Sequence, residues 1–204
     1  MRLGILISGS GTTFLNLHNR ILTGELNAEI VCLVSSNPNA GGLEHAARLG
    51  VPHWVVSLQN GDVQAFSTEI HRLLVQTGVD LVVLGGFLKP FLPQEPYLER
   101  CINIHPSLIP AFCGKGFYGM HVHRAVYARG CRVSGCTVHL VTEDYDAGPI
   151  LLQRAVTLED DDDPSSIQRK VFALECEALP EVIEWFRADR VRFENGRAWI
   201  SAAN

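Results

Sequence analysis

Apolar residues along this chain fall into short unbroken runs, and between the runs they recur every three or four positions. Residues 2–8 (RLGILIS) carry no polar side chain between Arg2 and Ser8, the pattern of a strand covered on both faces in a parallel sheet. The same reading marks strands over 3–8, 29–35, 53–57, 80–85 and 101–105, with helices over 12–23, 41–49 and 63–77. Regular alternation of this kind predicts right-handed βαβ units and an α/β fold, a Rossmann-like parallel sheet with helices on both faces.

The last third follows a different pattern. Residues 132–141 and 150–158 read as longer strands of an antiparallel, hairpin-like extension. Asp163 and Pro164 then suit the cap and first position of a helix. Ile167, Val171, Leu174, Ala178, Val182 and Phe186 mark one face of that helix, and a bend is expected at Pro180. Asn195-Gly196 is a hairpin-turn signal in a short tail over 190–204.

The chain has 204 residues, a formal net charge of −5 and six cysteines. An acidic balance argues against a nucleic-acid partner. The scattered cysteines form no CxxC pair, and no apolar stretch approaches the roughly 20 residues a bilayer needs, so a cytoplasmic protein with no membrane partner is expected.

Ligands of open α/β sheets gather at the carboxyl ends of the strands, and chemistry-bearing residues stand at three such ends. Gly9-Ser10-Gly11-Thr12-Thr13 follows the first strand and opens a helix, which makes an anion site from free backbone N–H groups and the helix dipole. A dinucleotide fingerprint would need a small residue where Phe14 stands and an acidic residue about 20 positions on, and the Walker lysine is missing as well. A single phosphate monoester is therefore the better fit.

Asn103-Ile104-His105 ends another strand, where a period of two sends both side chains to one side. An amide donor beside an imidazole suits a carbonyl that must become an oxyanion. Asp146, in the stiff turn-rich DYDAGP loop at 144–149, would raise the imidazole pKa and let His105 act as an acid near neutral pH. Asp144 is the competing carboxylate. His121 and His123 form an H-x-H pair ahead of a helix-like stretch over 124–129, but no HExxH and no paired cysteines accompany them, so no metal is expected.

Taken together, SGSGT at 8–12, GGF at 85–87, NIHPSLIP at 103–110, HVHR at 121–124 and TVHLVTEDYDAGPI at 137–150 resemble the folate-dependent formyltransferase family over roughly residues 1–187. The resemblance implies one domain over 1–189, with a phosphate-binding half at 1–100 and a catalytic and folate-binding half at 101–189. It implies a formyl donor, 10-formyltetrahydrofolate, as co-substrate. Relatives acting on tRNA carry a C-terminal barrel, and hydrolytic relatives carry an N-terminal regulatory domain; the sequence shows neither, so the implied acceptor is the amine of glycinamide ribonucleotide. Hydrolysis of the same donor and a phosphate-binding module without turnover are the other readings. A homodimer is compatible with the family.

The resemblance places the acceptor phosphate on Gly11, Thr12 and Thr13, and the glycinamide or ribose end on Glu175. It places the pterin against Leu88, Lys89, Pro90 and Phe91 and the loop Val141, Thr142, Glu143 and Asp144, with Asn103 near the formyl group. Asn103, His105 and Asp146 match the catalytic trio. A side chain added at Gly11 would then be expected to enter the phosphate position. Three departures stand out: Thr13 replaces a more usual asparagine, Lys89-Pro90 replaces an arginine-led segment, and residues 111–120 (AFCGKGFYGM) exceed the usual short link and suggest a flap.

Overall fold

The protein is described here from a computed structural model covering residues 1–202; the last two positions of the 190–204 tail lie outside the described residues. Seven strands form a mixed, mostly parallel sheet in the order β3 (His53–Val55), β2 (Glu29–Ser35), β1 (Arg2–Ile7), β4 (Leu81–Leu84), β5 (Cys101–His105), β6 (Val133–Leu140) and β7 (Ile150–Thr157), and two further strands pair as a separate hairpin. The chain divides into two compact units, residues 1–102 and 103 onward.

In the first unit, β1 (Arg2–Ile7) pairs in parallel with β2 (Glu29–Ser35) and with β4 (Leu81–Leu84), and β2 pairs with β3 (His53–Val55). Leu3, Ile5, Leu6 and Ile7 are wholly buried, as an apolar run with no alternation requires. The helices α1 (Thr12–Leu22), α2 (Gly41–Arg48) and α3 (Val63–Gln76) fall between these strands as the sequence spacing predicts. Asp62 caps α3 by accepting from the Ala65 N–H.

The second unit holds the end of β5 (Cys101–His105), α4 (Met120–Arg129), β6 (Val133–Leu140), β7 (Ile150–Thr157) and α5 (Pro164–Arg187). β7 runs antiparallel to β6. Asp163 and Ser166 form a reciprocal capping box at the start of α5, and Pro164 sits in its first turn. The helix continues through Pro180 to Arg187. Its buried face carries Ile167, Val171, Ala178, Val182 and Phe186, whereas Leu174 is only half-buried. β8 (Val191–Glu194) and β9 (Arg197–Ile200) meet at Asn195-Gly196, whose φ angles of 52° and 73° are those of a type I′ hairpin turn.

Candidate active site

α1 begins immediately after Gly11, whose φ of 77° is left-handed, and no side chain caps its first turn. The leading N–H groups of Thr12 and Thr13 are therefore left for a ligand at the positive end of the helix. Thr12 is exposed and Thr13 half-buried. Gly11 does not leave room for a substituent in the way the sequence suggests. A Cβ there would meet the Gly42 Cα at 2.7 Å, so glycine is required by the packing of α2 against the loop as well as by its own backbone conformation.

The segment after β4 is tied to the end of β1. Ser8 N–H donates to the Gly86 carbonyl at 3.0 Å, and Leu88 N–H donates to Ser8 Oγ at 2.8 Å. This leaves the Leu88 side chain exposed, with Lys89 exposed and Pro90 half-buried beside it. Phe91 behaves differently from the sequence expectation: it is buried, stacked on His71 with ring centroids 5.1 Å apart. Its ring serves the core, because an aromatic face already covered by an imidazole has little left to offer a ligand.

In the second unit the period of two along β5 brings Asn103 and His105 to one carboxylate. Asp146 Oδ1 lies 3.4 Å from Asn103 Nδ2, and its Oδ2 lies 3.5 Å from His105 Nδ1. Asp146 adopts a left-handed φ of 53° in its loop, a backbone strain held by the structure around it. The loop is pinned behind it by Gly148, where a Cβ would collide with the Leu140 carbonyl. Asp144, the competing carboxylate, is exposed and takes no part in this cluster. Val141 and Thr142 are half-buried and Glu143 is exposed along the same loop, with the Thr142 hydroxyl donating to the Asp144 carbonyl.

Two partners join this cluster, one of them the segment expected as a flap and neither expected from sequence as a hydrogen-bonding partner. His139 Nε2 lies 3.1 Å from Asn103 Nδ2 and 3.5 Å from Asp146 Oδ1. Its Nδ1 faces the Leu140 carbonyl at 2.9 Å, so Nδ1 carries the hydrogen and Nε2 accepts from the Asn103 amide. The period of two from Thr137 through His139 was the available signal. The second partner is the 111–120 segment, in which the Phe112 carbonyl accepts from His105 Nε2 at 2.9 Å and Gly114 N–H donates to Asp146 Oδ2 at 2.8 Å.

The electrostatics correct one expectation. His105 is 4% exposed. Burial pushes its pKa below the ordinary histidine value, outweighing the Asp146 carboxylate and the Phe112 carbonyl that favour the charged form. The neutral imidazole is therefore favoured, a form that can take a proton. Asp146 is held below the usual aspartate value. Burial opposes this, but the adjoining His139 and His105 rings and the Gly114 N–H together win, so the carboxylate is ionised. Glu175 on α5 has its carboxyl pushed up to about 8 by desolvation, although part of the residue remains open to solvent.

His121 and His123 lie inside the first turn of α4 rather than ahead of it. Two residues apart on a helix point to different sides, and here His121 packs edge-on to exposed Tyr118 while His123 is buried. Among the described residues no group of three or more His, Cys, Asp or Glu is arranged to hold a metal ion, and no helix is long and apolar enough to cross a membrane.

An amide and an imidazole at a strand end, facing a carboxylate from the 144–149 loop, suit acid–base chemistry at a carbonyl carbon. Residues 1–183 match the family model described as "Formyl transferase", and the chain belongs to that family. It is 36% identical over 196 residues to the chloroplastic phosphoribosylglycinamide formyltransferase of Arabidopsis thaliana, covering 94% of this chain and 67% of that protein. Against the phosphoribosylglycinamide formyltransferase of Escherichia coli (strain K12) it is 30% identical over 203 residues, covering 98% and 93%. The crystal structure of glycinamide ribonucleotide transformylase 1 from Symbiobacterium toebii superposes with a TM-score of 0.86 at 35% identity, over 99% of this chain and 94% of that one. The chain spans about two thirds of the length of the plant relatives, 62% for that of Vigna unguiculata. Formyltetrahydrofolate deformylase structures share the fold too, with a TM-score of 0.87 at 26% identity for one from Pseudomonas syringae pv. tomato, so fold alone does not separate transfer from hydrolysis.

Proposed function

We propose that this chain transfers the formyl group of 10-formyltetrahydrofolate to the amine of glycinamide ribonucleotide, giving formylglycinamide ribonucleotide and tetrahydrofolate in purine biosynthesis. The convergence of Asn103, His105 and Asp146 on one another carries the proposal. The formyltransferase relatives that match the chain along most of its length support transfer over hydrolysis.

The amine attacks the formyl carbon directly, and charge gathers on the formyl oxygen. Asn103 supplies an amide hydrogen to that oxygen by releasing Asp146, to which it is held only at 3.4 Å. The new ammonium must then lose a proton. Neutral His105, with ionised Asp146 beside its Nδ1, is the acceptor. The same proton leaves with the folate nitrogen as the carbon–nitrogen bond to the donor breaks, so no net proton is required.

For the substrates, the N–H groups of Thr12 and Thr13 after Gly11 serve the acceptor phosphate, and Glu175 the glycinamide or ribose end. Leu88, Lys89 and Pro90 and the loop residues Val141, Thr142, Glu143 and Asp144 serve the pterin, with Phe91 acting as the anchor of its segment. The test is an assay of purified protein with 10-formyltetrahydrofolate, with and without glycinamide ribonucleotide. Release of tetrahydrofolate should be slow alone and rise by orders of magnitude with acceptor, matched by formylated product, because positioning supplies roughly 7–11 kcal/mol that free water does not receive. Rapid formate release unaffected by acceptor would assign the chain to hydrolysis instead.

A further inference from the structure

His105 faces two competing hydrogen-bond acceptors. Its Nε2 lies 2.9 Å from the Phe112 carbonyl, and its Nδ1 lies 3.5 Å from Asp146 Oδ2. A neutral imidazole has one N–H and can satisfy one of them. The Phe112 contact is well within hydrogen-bonding range, whereas 3.5 Å to Asp146 is long, and Asp146 Oδ2 already accepts from Gly114 N–H at 2.8 Å. The nearer carbonyl therefore decides where the hydrogen resides.

That carbonyl is itself held. Ser107 is 1% exposed, and its hydroxyl donates to the Ala111 carbonyl at 2.6 Å with the Phe112 carbonyl 3.3 Å away. On the other side, Thr137 Oγ1 donates to the Ser107 carbonyl at 2.7 Å, and Gln153 donates to the Ile109 carbonyl at 2.9 Å. Phe112 has a left-handed φ of 51°, a conformation that a non-glycine residue keeps only when its neighbours enforce it.

We infer that Ser107 is a positioning residue that fixes the hydrogen of neutral His105 on Nε2 through the Phe112 carbonyl, leaving Nδ1 as the atom that exchanges protons during turnover. The segment at 111–114 thus sets which nitrogen of His105 works. The hydrogen on Nε2 stays on its carbonyl throughout, while Nδ1 takes the proton of the attacking amine beside Asp146 and returns it to the leaving nitrogen. The charged form then has both acceptors in place, Phe112 for Nε2–H and Asp146 for Nδ1–H. The titratable groups around His105 are Asp146, His139 and His123.

This inference rests on the formyl-transfer reading for its kinetic part, but its first readout needs no substrate. In protein labelled with ¹⁵N-histidine and held above the His105 pKa, ring nitrogen shifts assigned by comparison with His105→Gln should show Nε2 protonated and Nδ1 bare. Protonated Nδ1, or an even mixture, would overturn the inference. Ser107→Ala should convert His105 to a mixture and lower kcat about tenfold or more, with KM for both substrates within about twofold, the pattern of a lost transition-state interaction. Ser107→Thr, which keeps the hydroxyl, should restore the wild-type tautomer. An unchanged tautomer and turnover in folded Ser107→Ala would sink the role given to Ser107. If Ser107→Ala does not fold, the wild-type spectrum and Ser107→Thr decide the matter. A correct tautomer in a protein that fails to transfer formyl groups would refute the functional reading and leave the tautomer assignment standing.

Discussion

Asn103 and His139, 36 residues apart in the chain, meet at 3.1 Å through Nδ2 and Nε2. Because His139 Nδ1 is committed to the Leu140 carbonyl, its Nε2 holds one Asn103 hydrogen and turns the other toward Asp146. The amide plane is thereby set before any substrate arrives. His139→Ala should free Asn103 to rotate and lower kcat roughly tenfold, about the worth of one hydrogen bond, with little change in either KM. Steady-state kinetics check this, and a matching rise in KM for the folate donor would instead make His139 a binding residue.

Removing the groups themselves should cost more. Asn103→Ala is expected to lower turnover by about 10²–10³, the usual effect of losing one oxyanion donor. His105→Ala and Asp146→Asn should each cost at least about 10² through proton transfer and charge. Since these residues touch one another, the double variant His105→Ala/Asp146→Asn should fall far short of the product of the single losses. Near-normal turnover in either single variant removes that residue from the chemistry.

The strands, the helices, the hairpin and the strand-end amide and imidazole were legible in sequence because each follows from local periodicity or turn chemistry. The apolar run at 2–8 can be satisfied only by burial on both faces, and Asp163 with Pro164 announces the start of α5 wherever the helix later packs. The protonation state of His105 was not legible, because it depends on how completely the surrounding chain excludes water. Nor were the buried placement of Phe91 or the role of the 111–120 segment as a hydrogen-bonding partner of His105 and Asp146. Each depends on contacts between residues distant in sequence or on backbone groups, whose identity no side-chain motif encodes.

Stability should fall with acidification below about pH 6.5. His71, His105 and His123 are all held below the ordinary histidine value by burial, His123 down to about 4 with the nearby His105 adding to the effect. Between the folded and unfolded pKa values the unfolded chain binds more protons, so stability rises with pH in that window and is lost as pH falls through it. The His123 contribution is on the order of 3 kcal/mol across its window. Urea unfolding between pH 4 and 7 should show this slope, and His123→Leu should flatten it, since its Nδ1 has no hydrogen-bond partner to lose. A slope unchanged in the variant would show that His123 titrates normally.

Gly11 and Thr12 separate packing from binding at the phosphate loop. Gly11→Ala places a Cβ 2.7 Å from the Gly42 Cα at a left-handed φ, so it should destabilise the fold and affect the apparent affinity for both substrates. Thr12 is exposed, so Thr12→Pro, at the first helical position where proline fits, removes one N–H with little cost to folding. KM for glycinamide ribonucleotide should rise several-fold while KM for the folate donor holds. Equal changes in both would move the phosphate away from this turn.

Glu175 gives the opposite pH signature to the histidines. Its carboxyl, pushed up to about 8 from an unfolded value near 4.5, stays protonated in the folded protein where the unfolded chain has released the proton. The folded state therefore binds more protons between those values. The stability contributed is fully present below about pH 4.5 and is lost as pH rises through about 8. Glu175→Gln cannot ionise but keeps the shape of the neutral acid, so it should match the wild type near pH 5 and become progressively more stable than it up to about pH 8. The same logic applies to the acceptor: near pH 6 the two proteins should show similar KM for glycinamide ribonucleotide, because both present a neutral group, and above pH 8 they should diverge as the wild type acquires a charge. Denaturation midpoints and acceptor KM across pH 5–9 check both halves. Parallel curves for the two proteins throughout would show that Glu175 is ionised across the whole range.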